Sequence, residues 1–513
     1  MEERKASAPI TTHKGRHYSF LAKNIVWLQV GQVFSKVASL LALPIVTAFL
    51  SPDAYGIVAL FTIEASFLSS LYSLGLDSFA GRMIYKFDRR NKKTCGQYLT
   101  VSLLYIAIFA FFGSILSIPF TNTMKEFIFR GIVFPHRYLS YVPVIQSFFM
   151  CIYSSITCDF LNLQENKNIF LCELVYFIVF VPLEIIGLVW LDFTWVEIVV
   201  LQCVAQMIVA VVSLSLIRHR LVFSFKRLKV IGFALRYSLP FYSMNFSSWI
   251  QQQIDKILLG RIRAVSSVGV YSLGTKISEG YQFFSRPISI SVKPDISKRL
   301  DMRDKNINRD IGEFFTLFFQ VSLFIIFSLS IFSREIIDLL TNVTYSSAFT
   351  VVPFGMFGYF FSELTGIFGL KMVYKNKTVF FTFVTFLGAL LSALLNYALI
   401  PRFGIIGAAS ATVLTNLTIL MIAYMISQSL HVSAYHLRRN ILTLLIVAFL
   451  VYLVVFHLPY TIPMFFLKGI LLIGYGILLY LYIIKTNRIA QGLIENVFHR
   501  LQAKFDPRAL DRG

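Results

Sequence analysis

Residues 195–217 read WVEIVVLQCVAQMIVAVVSLSLI and run straight into Arg218-His219-Arg220. A helix rises about 1.5 Å per residue, so a run of this length covers the roughly 30 Å hydrocarbon core of a bilayer. Similar apolar runs recur at 24–50, 55–86, 94–119, 136–162, 167–191, 231–260, 265–300, 310–332, 346–374, 376–400, 404–428, 438–457 and 462–484. The sequence therefore predicts an all-α polytopic membrane protein of about fourteen spans, or twelve if two of the runs lie in the interface. Composition agrees: 57% of the 513 residues are hydrophobic and 14% charged, against about 25% charged in soluble domains.

The formal net charge of +21 raises a nucleic-acid reading, which the distribution of cations excludes. With the N-terminus inside, 34 Lys and Arg fall in inner tails and loops, seven in outer loops and six within spans. That bias is the positive-inside signature of membrane topology, and it sets both termini in the cytoplasm. The five cysteines, Cys95, Cys151, Cys158, Cys172 and Cys203, lie in or beside spans with no metal-ligand or disulfide spacing and read as small packing residues. The polar, basic first 23 residues precede a span too long for a cleaved leader, so the chain is expected to insert through its own helices.

An internal repeat emerges when the chain is offset by 213 residues. Tyr55-Gly56-Ile57-Val58-Ala59-Leu60-Phe61-Thr62 then falls on Val268-Gly269-Val270-Tyr271-Ser272-Leu273-Gly274-Thr275, with glycine, leucine and threonine coincident. The expected organisation is an N-terminal segment (1–23), an N-lobe of six spans (24–217), a cytoplasmic linker (218–230) and a C-lobe of six spans (231–428). Two further spans (429–484) and a tail (485–513) follow. Repeated halves with a substrate site between them are a common transporter plan. In the tail, Ile489, Leu493, Val497, Leu501 and Phe505 recur every four residues, the pattern of an amphipathic helix on an anionic leaflet.

The informative residues are the ionisable ones inside spans, each costing roughly 2.5–3.5 kcal/mol near the bilayer centre. They are Lys36, Glu64, Asp159, Glu184, Arg236, Asp255, Lys256, Lys276, Glu279, Arg286 and Glu363. So many must line a hydrated cavity or pair across helices. Gln29, Gln32 and Lys36 share a helical face, as do Asn245, Trp249, Gln252 and Lys256, and Lys276, Glu279, Phe283 and Arg286. Arg236 and Arg286 stand near span ends, where snorkelling to the interface is an alternative. Asp255 with Lys256, and Lys276 with Glu279, are near enough to neutralise one another. The candidate anion- and sugar-binding set is Gln29, Gln32, Lys36, Asn245, Gln252, Lys256, Lys276 and Arg286. The candidate coupling-ion carboxylates are Glu64, Asp255, Glu279 and Glu363. No cofactor is expected beyond a coupling H⁺ or Na⁺, between which the sequence does not choose.

Several stretches resemble a known family in order and spacing. These are Leu43-Pro44 with Leu50-Ser51-Pro52-Asp53-Ala54-Tyr55-Gly56, Leu74-Gly75-Leu76 with Arg82, and Leu239-Pro240 with Asp255-Lys256-Ile257-Leu258-Leu259-Gly260. Val268-Gly269-Val270-Tyr271-Ser272 and Asn396-Tyr397-Ala398-Leu399-Ile400-Pro401 with Phe403-Gly404-Ile405-Ile406-Gly407-Ala408-Ala409 complete the set. Together they resemble the polysaccharide transporter branch of the multidrug/oligosaccharidyl-lipid/polysaccharide superfamily, which includes Wzx-like flippases. The resemblance implies a two-lobed, alternating-access antiporter with a cationic cavity in a bacterial cytoplasmic membrane. Its implied cargo is an isoprenyl-pyrophosphate-linked oligosaccharide for O-antigen or capsule assembly. A polysaccharide polymerase, a chain-length regulator and membrane lipids are the implied partners, and nucleic acid is not.

The rival within the superfamily is a multidrug exporter, whose cationic substrates would call for an acidic cavity; Lys36, Arg236, Lys256, Lys276 and Arg286 argue against it. An enzyme is not expected, since no large extramembrane domain, Asp-x-Asp pair or His/Ser/Asp cluster stands out among the eight histidines.

Overall fold

The computed structural model describes residues 39–486 apart from 89, 287, 289–306, 375–377, 431–434 and 460. The regular elements among the described residues are all helical, and the chain divides into two compact units. One is Met1–Gly269 with Leu340–Asn342; the other is Val270–Leu339 with Val343–Gly513. The first contains α1 (Leu43–Phe49), α2 (Pro52–Ser73), α3 (Leu76–Phe87), α4 (Lys92–Ser117) and α5 (Thr121–Ile128). It continues with α6 (Val142–Asn162), α7 (Asn166–Trp190), α8 (Trp195–Ile217) and α9 (Ile231–Ile262). α10 (Val265–Ser278) begins in the first unit and finishes in the second. The second unit then holds α11 (Ile307–Ile331), α12 (Ser333–Leu340), α13 (Val351–Tyr374), α14 (Thr378–Leu430), α15 (Leu437–Phe456) and α16 (Ile462–Thr486).

Helix starts are written in the sequence. Ser51 accepts the Ala54 amide at 3.3 Å with Pro52 at the first helical position of α2, an N-cap arrangement that satisfies an otherwise orphaned donor. Glu197, the lone acid of the 195–217 run, closes a capping box by accepting the Thr194 amide at 2.8 Å. The expected single run 55–86 is broken: Leu74 (φ 45°) and Gly75 (φ 71°) are left-handed and separate α2 from α3. A Cβ at Gly75 would also stand 3.0 Å from the Ser238 carbonyl oxygen of α9, so the break is locked by a close backbone approach. Hydropathy does not register a turn whose residues stay apolar. Conversely, the runs 376–400 and 404–428 join into α14, which kinks at Gly404 (φ 58°) just after Pro401.

The 213-residue offset holds for element boundaries as well as for the glycine motif. It carries α2 onto 265–286, α4 onto 305–330, α5 onto 334–341 and α6 onto 355–375. It carries α7 and α8 onto 379–403 and 408–430, the two arms of α14, and α1 onto 256–262, the end of α9. The repeat-mates Gly56 and Gly269 lie back to back: a Cβ on Gly56 would strike the Val265 carbonyl, and one on Gly269 the Pro52 carbonyl. Two backbones can approach this closely only where both residues lack a side chain.

Among the described residues, ten helices are long and apolar enough to cross a membrane. They account for the expected spans two to six, nine, ten, thirteen and fourteen, with eleven and twelve merged in α14. Residues 24–38 of the first span and the end of the eighth fall outside the described residues, as does the amphipathic pattern of the tail, while the end of the first span forms α1. The seventh span forms α9, a 32-residue helix whose charged and amide side chains keep it out of the apolar set. The first unit's core gathers Leu68, Tyr72, Leu76, Phe79, Met83, Ile106 and Cys151, with Cys151 acting as the packing residue its position suggests. In the second unit, Phe315, Phe368 and Tyr435 interlock with centroids 4.9–5.3 Å apart, and Gln320 Nε2 donates to Asn440 Oδ1 at 3.1 Å to tie α15 to α11.

Candidate functional site

In the first unit the polar face belongs to α9. Asn245 and Gln252, two turns apart in the middle of this helix, are both exposed. An amide at that depth is costly to set against acyl chains, so this face requires water or protein. Trp249 lies between them; its Nε1–H donates to Ser66 Oγ at 2.9 Å and its ring sits 5.1 Å from Phe67 of α2. Phe246 stacks on it with planes 13° apart, and Tyr242 continues the ladder at 5.8 Å. Two turns below, Lys256 Nζ donates to Gln253 Oε1 at 3.2 Å, while the Lys256 amide donates to Asp255 Oδ1 at 2.8 Å. The ammonium thus turns to an amide rather than to its carboxylate neighbour. Arg236 is exposed near the start of α9.

Glu64 sits on α2, 3% exposed, between the fully buried turns of Leu60, Phe61 and Leu68. No hydrogen bond or ion pair reaches its carboxyl among the described residues. Asp159 of α6 and Glu184 of α7 are likewise buried. Gln29, Gln32 and Lys36 lie outside the described residues.

The second unit treats its charges differently. α10 ends at Ser278, whose hydroxyl donates to the Val352 carbonyl at 3.0 Å, and Glu279–Tyr281 tighten into a 3₁₀ turn. Lys276 is half-buried and pairs with no carboxylate among the described residues. Further on, Arg286 Nε lies 4.0 Å from Glu363 Oε1, bringing a predicted ligand and a predicted coupling carboxylate together across 77 residues. Tyr281 OH donates to Ser322 Oγ at 3.0 Å behind them.

Sequence reasoning missed three features. Lys468 of α16, buried, donates to Glu335 Oε1 of α12 at 2.5 Å; a pair 133 residues apart leaves no local signature. The linker is pinned along α4: Arg220 is clasped by Glu165 and lies 3.8 Å from Asp88, Arg227 donates to Tyr98 OH at 2.9 Å, and Tyr105 OH to the Leu228 carbonyl at 2.6 Å. The third is Asp77, whose carboxyl is buried beside Ser155 of α6 and whose Oδ1 has no hydrogen-bond partner among the described residues. Among the described residues no group of three or more His, Cys, Asp or Glu side chains is placed to hold a metal.

The helical frame is similar to that of the lipid II flippase MurJ in an inward closed conformation, with a TM-score of 0.67 at 14% identity over 92% of this chain and 99% of that one. It is also similar to a multidrug resistance MATE transporter facing inward (TM-score 0.61, 12% identity, 79% of this chain and 97% of that one). The outward-facing form of a MATE family transporter matches with a TM-score of 0.56 at 14% identity over 80% and 94% of the two chains. The fold is therefore the one these solved proteins share, and the ten helices among the described residues that are long and apolar enough to cross a membrane make the chain a multi-pass membrane protein. A family model described as polysaccharide biosynthesis protein matches residues 21–298. The chain belongs to that family. No curated protein matches the sequence.

Proposed function

We propose that this protein is a flippase that moves polyprenyl-pyrophosphate-linked oligosaccharide across the cytoplasmic membrane by ion-coupled alternating access, for assembly of a surface polysaccharide. The exposed amides Asn245 and Gln252 at the centre of α9 carry the reading, because a polar stripe at that depth suits a hydrated path for a hydrophilic head. Family membership and the MurJ-like frame support it. The head of such a cargo is anionic and rich in hydroxyls. Lys276, Lys256 and Arg286 can replace part of the hydration of a pyrophosphate, and amides can replace that of the sugars. Gln29, Gln32 and Lys36 are proposed to extend the same lining.

Glu64 is the foremost candidate to take up and release the coupling ion, since it is buried without a countercharge among the described residues; Asp255, Glu279 and Glu363 are the other candidates. Both termini face the cytoplasm in this reading, with a polymerase and a chain-length regulator acting on the delivered glycan.

The test is flipping in reconstituted vesicles carrying a polyprenyl-pyrophosphate glycan, read as the fraction of glycan oxidised by membrane-impermeant periodate. Asn245→Leu with Gln252→Leu is expected to slow transfer at least about tenfold, as loss of two hydrogen-bonding groups of about 1 kcal/mol each implies. Full-rate transfer by the double variant, or no transfer by the unaltered protein, overturns the reading.

A further inference from the structure

Two buried carboxyls of the first unit lie outside the α9 face. α3 packs on α6 so closely that a Cβ at Gly81 would come 2.8 Å from Asn162 Nδ2. Asp77 stands one helical turn before Gly81, and Asp159 and Ser155 stand one and two turns before Asn162. The contact therefore turns the two aspartates toward one seam. Asp159 is 1% exposed. Its Oδ1 and the Oδ1 of Asp77 both lack a hydrogen-bond partner among the described residues. Ser155 borders Asp77 but commits its hydroxyl hydrogen to the Cys151 carbonyl at 2.9 Å. Asp77 is also the carboxylate whose field reaches Asp159.

Among the described residues no cation is paired with either carboxyl. From α6 the neighbouring titratable groups are the thiols of Cys151 and Cys158, and from α4 that of Cys95. From α2 the neighbour is the Ser69 hydroxyl, beside Cys151. On α3 itself Arg82 turns away, its guanidinium 4.5 Å over the Tyr237 ring of α9. Arg220, whose charge reaches Cys95, is engaged by Glu165 and Asp88. Two negative charges buried along one helix seam are disfavoured by burial and by mutual repulsion together. Two orphaned acceptors are satisfied at once when one carboxyl carries a proton and donates it to the other.

We infer that Asp77 and Asp159 form a proton-sharing carboxyl pair, a binding site for one exchangeable proton that works alongside the α9 face. The step is an acid dissociation: the shared O–H breaks, the proton passes to water entering the seam as hydronium, and two carboxylates are left to repel across the α3–α6 contact. The proton's part in transport rests on the flippase reading; the existence of the pair does not.

Two measurements separate them. In the purified full-length protein without cargo, difference infrared spectra between acid and alkaline buffer should show a titrating carboxylic C=O band. Asp77→Asn and Asp159→Asn should each abolish it, because a shared proton needs both partners, while Glu64→Gln should leave this component in place. Should either asparagine variant fail to fold, Asp159→Glu serves instead and should shift the band without removing it. A band unchanged by Asp159→Glu, or surviving in the Asp77→Asn, Asp159→Asn double variant, overturns the pair.

In vesicles, the stimulation of glycan transfer by a proton gradient should fall in the double variant, any remainder being that carried by Glu64. Stimulation by a Na⁺ gradient in place of protons, or an undiminished proton response, overturns the pair's role in coupling. An unaltered protein that moves no glycan under any gradient overturns the flippase reading, and the spectra still judge the pair.

Discussion

The two repeats share a skeleton and differ in what they bury. Shifted by 213 residues, helix boundaries of the first repeat land on those of the second, and Gly56 lands on Gly269. The charges do not follow. Glu64 falls on Ile277, Asp159 on Met372, and in reverse Lys276 falls on Ile63, Arg286 on Ser73 and Glu363 on Met150. Among the described residues the first repeat buries Glu64 and Asp159 with no ion pair recorded to either, whereas the second joins Arg286 to Glu363, and Lys468 of the following α16 reaches back to Glu335. A duplicated frame needs its glycines and apolar faces in both copies, because each copy must pack in the same way. Buried charges cost stability, so they persist only where each half has separate work to do.

The comparison can be broken most forcefully at Lys468. Its side chain and that of Glu335 are 8% and 17% exposed, and Lys468→Met strands the carboxylate. The expected loss is about 3–5 kcal/mol in detergent-mediated unfolding, largely recovered in the Lys468→Met, Glu335→Gln double variant. An unrecovered double variant would mean that Lys468 contributes packing rather than pairing. Next come the glycines. Gly56→Ala and Gly269→Ala should each cost about 1–3 kcal/mol by overpacking, in step with one another because both meet the same crossing. Gly404→Ala, at positive φ but with nothing within 4 Å, should cost only about 1–2 kcal/mol, read as a smaller fall in melting temperature.

Smaller still is the effect expected on stability at Arg286. Its side chain is 46% exposed, and Arg286→Gln should change stability by less than about 1 kcal/mol while slowing glycan transfer several-fold. Smallest is Glu64→Gln, which removes a buried carboxyl without a partner among the described residues and should leave the melting temperature unchanged or raised; a clear drop would reveal a partner for Glu64.

Much of this frame was legible in the sequence because transfer energy accumulates along a helix: α8 begins and ends where residues 195–217 suggested. The repeat was legible from Gly56, Leu60 and Thr62 against Gly269, Leu273 and Thr275. The break at Leu74–Gly75 was not, since it is made by backbone angles and by Ser238 approaching from 163 positions away. Of the candidate site, spacing placed Asn245 and Gln252 on one face of α9, where both are exposed. Asp77 and Lys468 escaped because each draws its meaning from a group on another helix, Asp159 and Glu335, and one-dimensional periodicity carries no record of that.

The claim that the middle of α9 borders water is open to direct measurement. In a background with the five cysteines replaced, single cysteines at Asn245, Gln252 and the intervening positions should be challenged in membranes with a membrane-impermeant thiol reagent. Labelling at Asn245→Cys and Gln252→Cys, with little at the buried Ser247→Cys, is the predicted pattern. Failure of both polar positions to label from either side of the membrane would contradict the account.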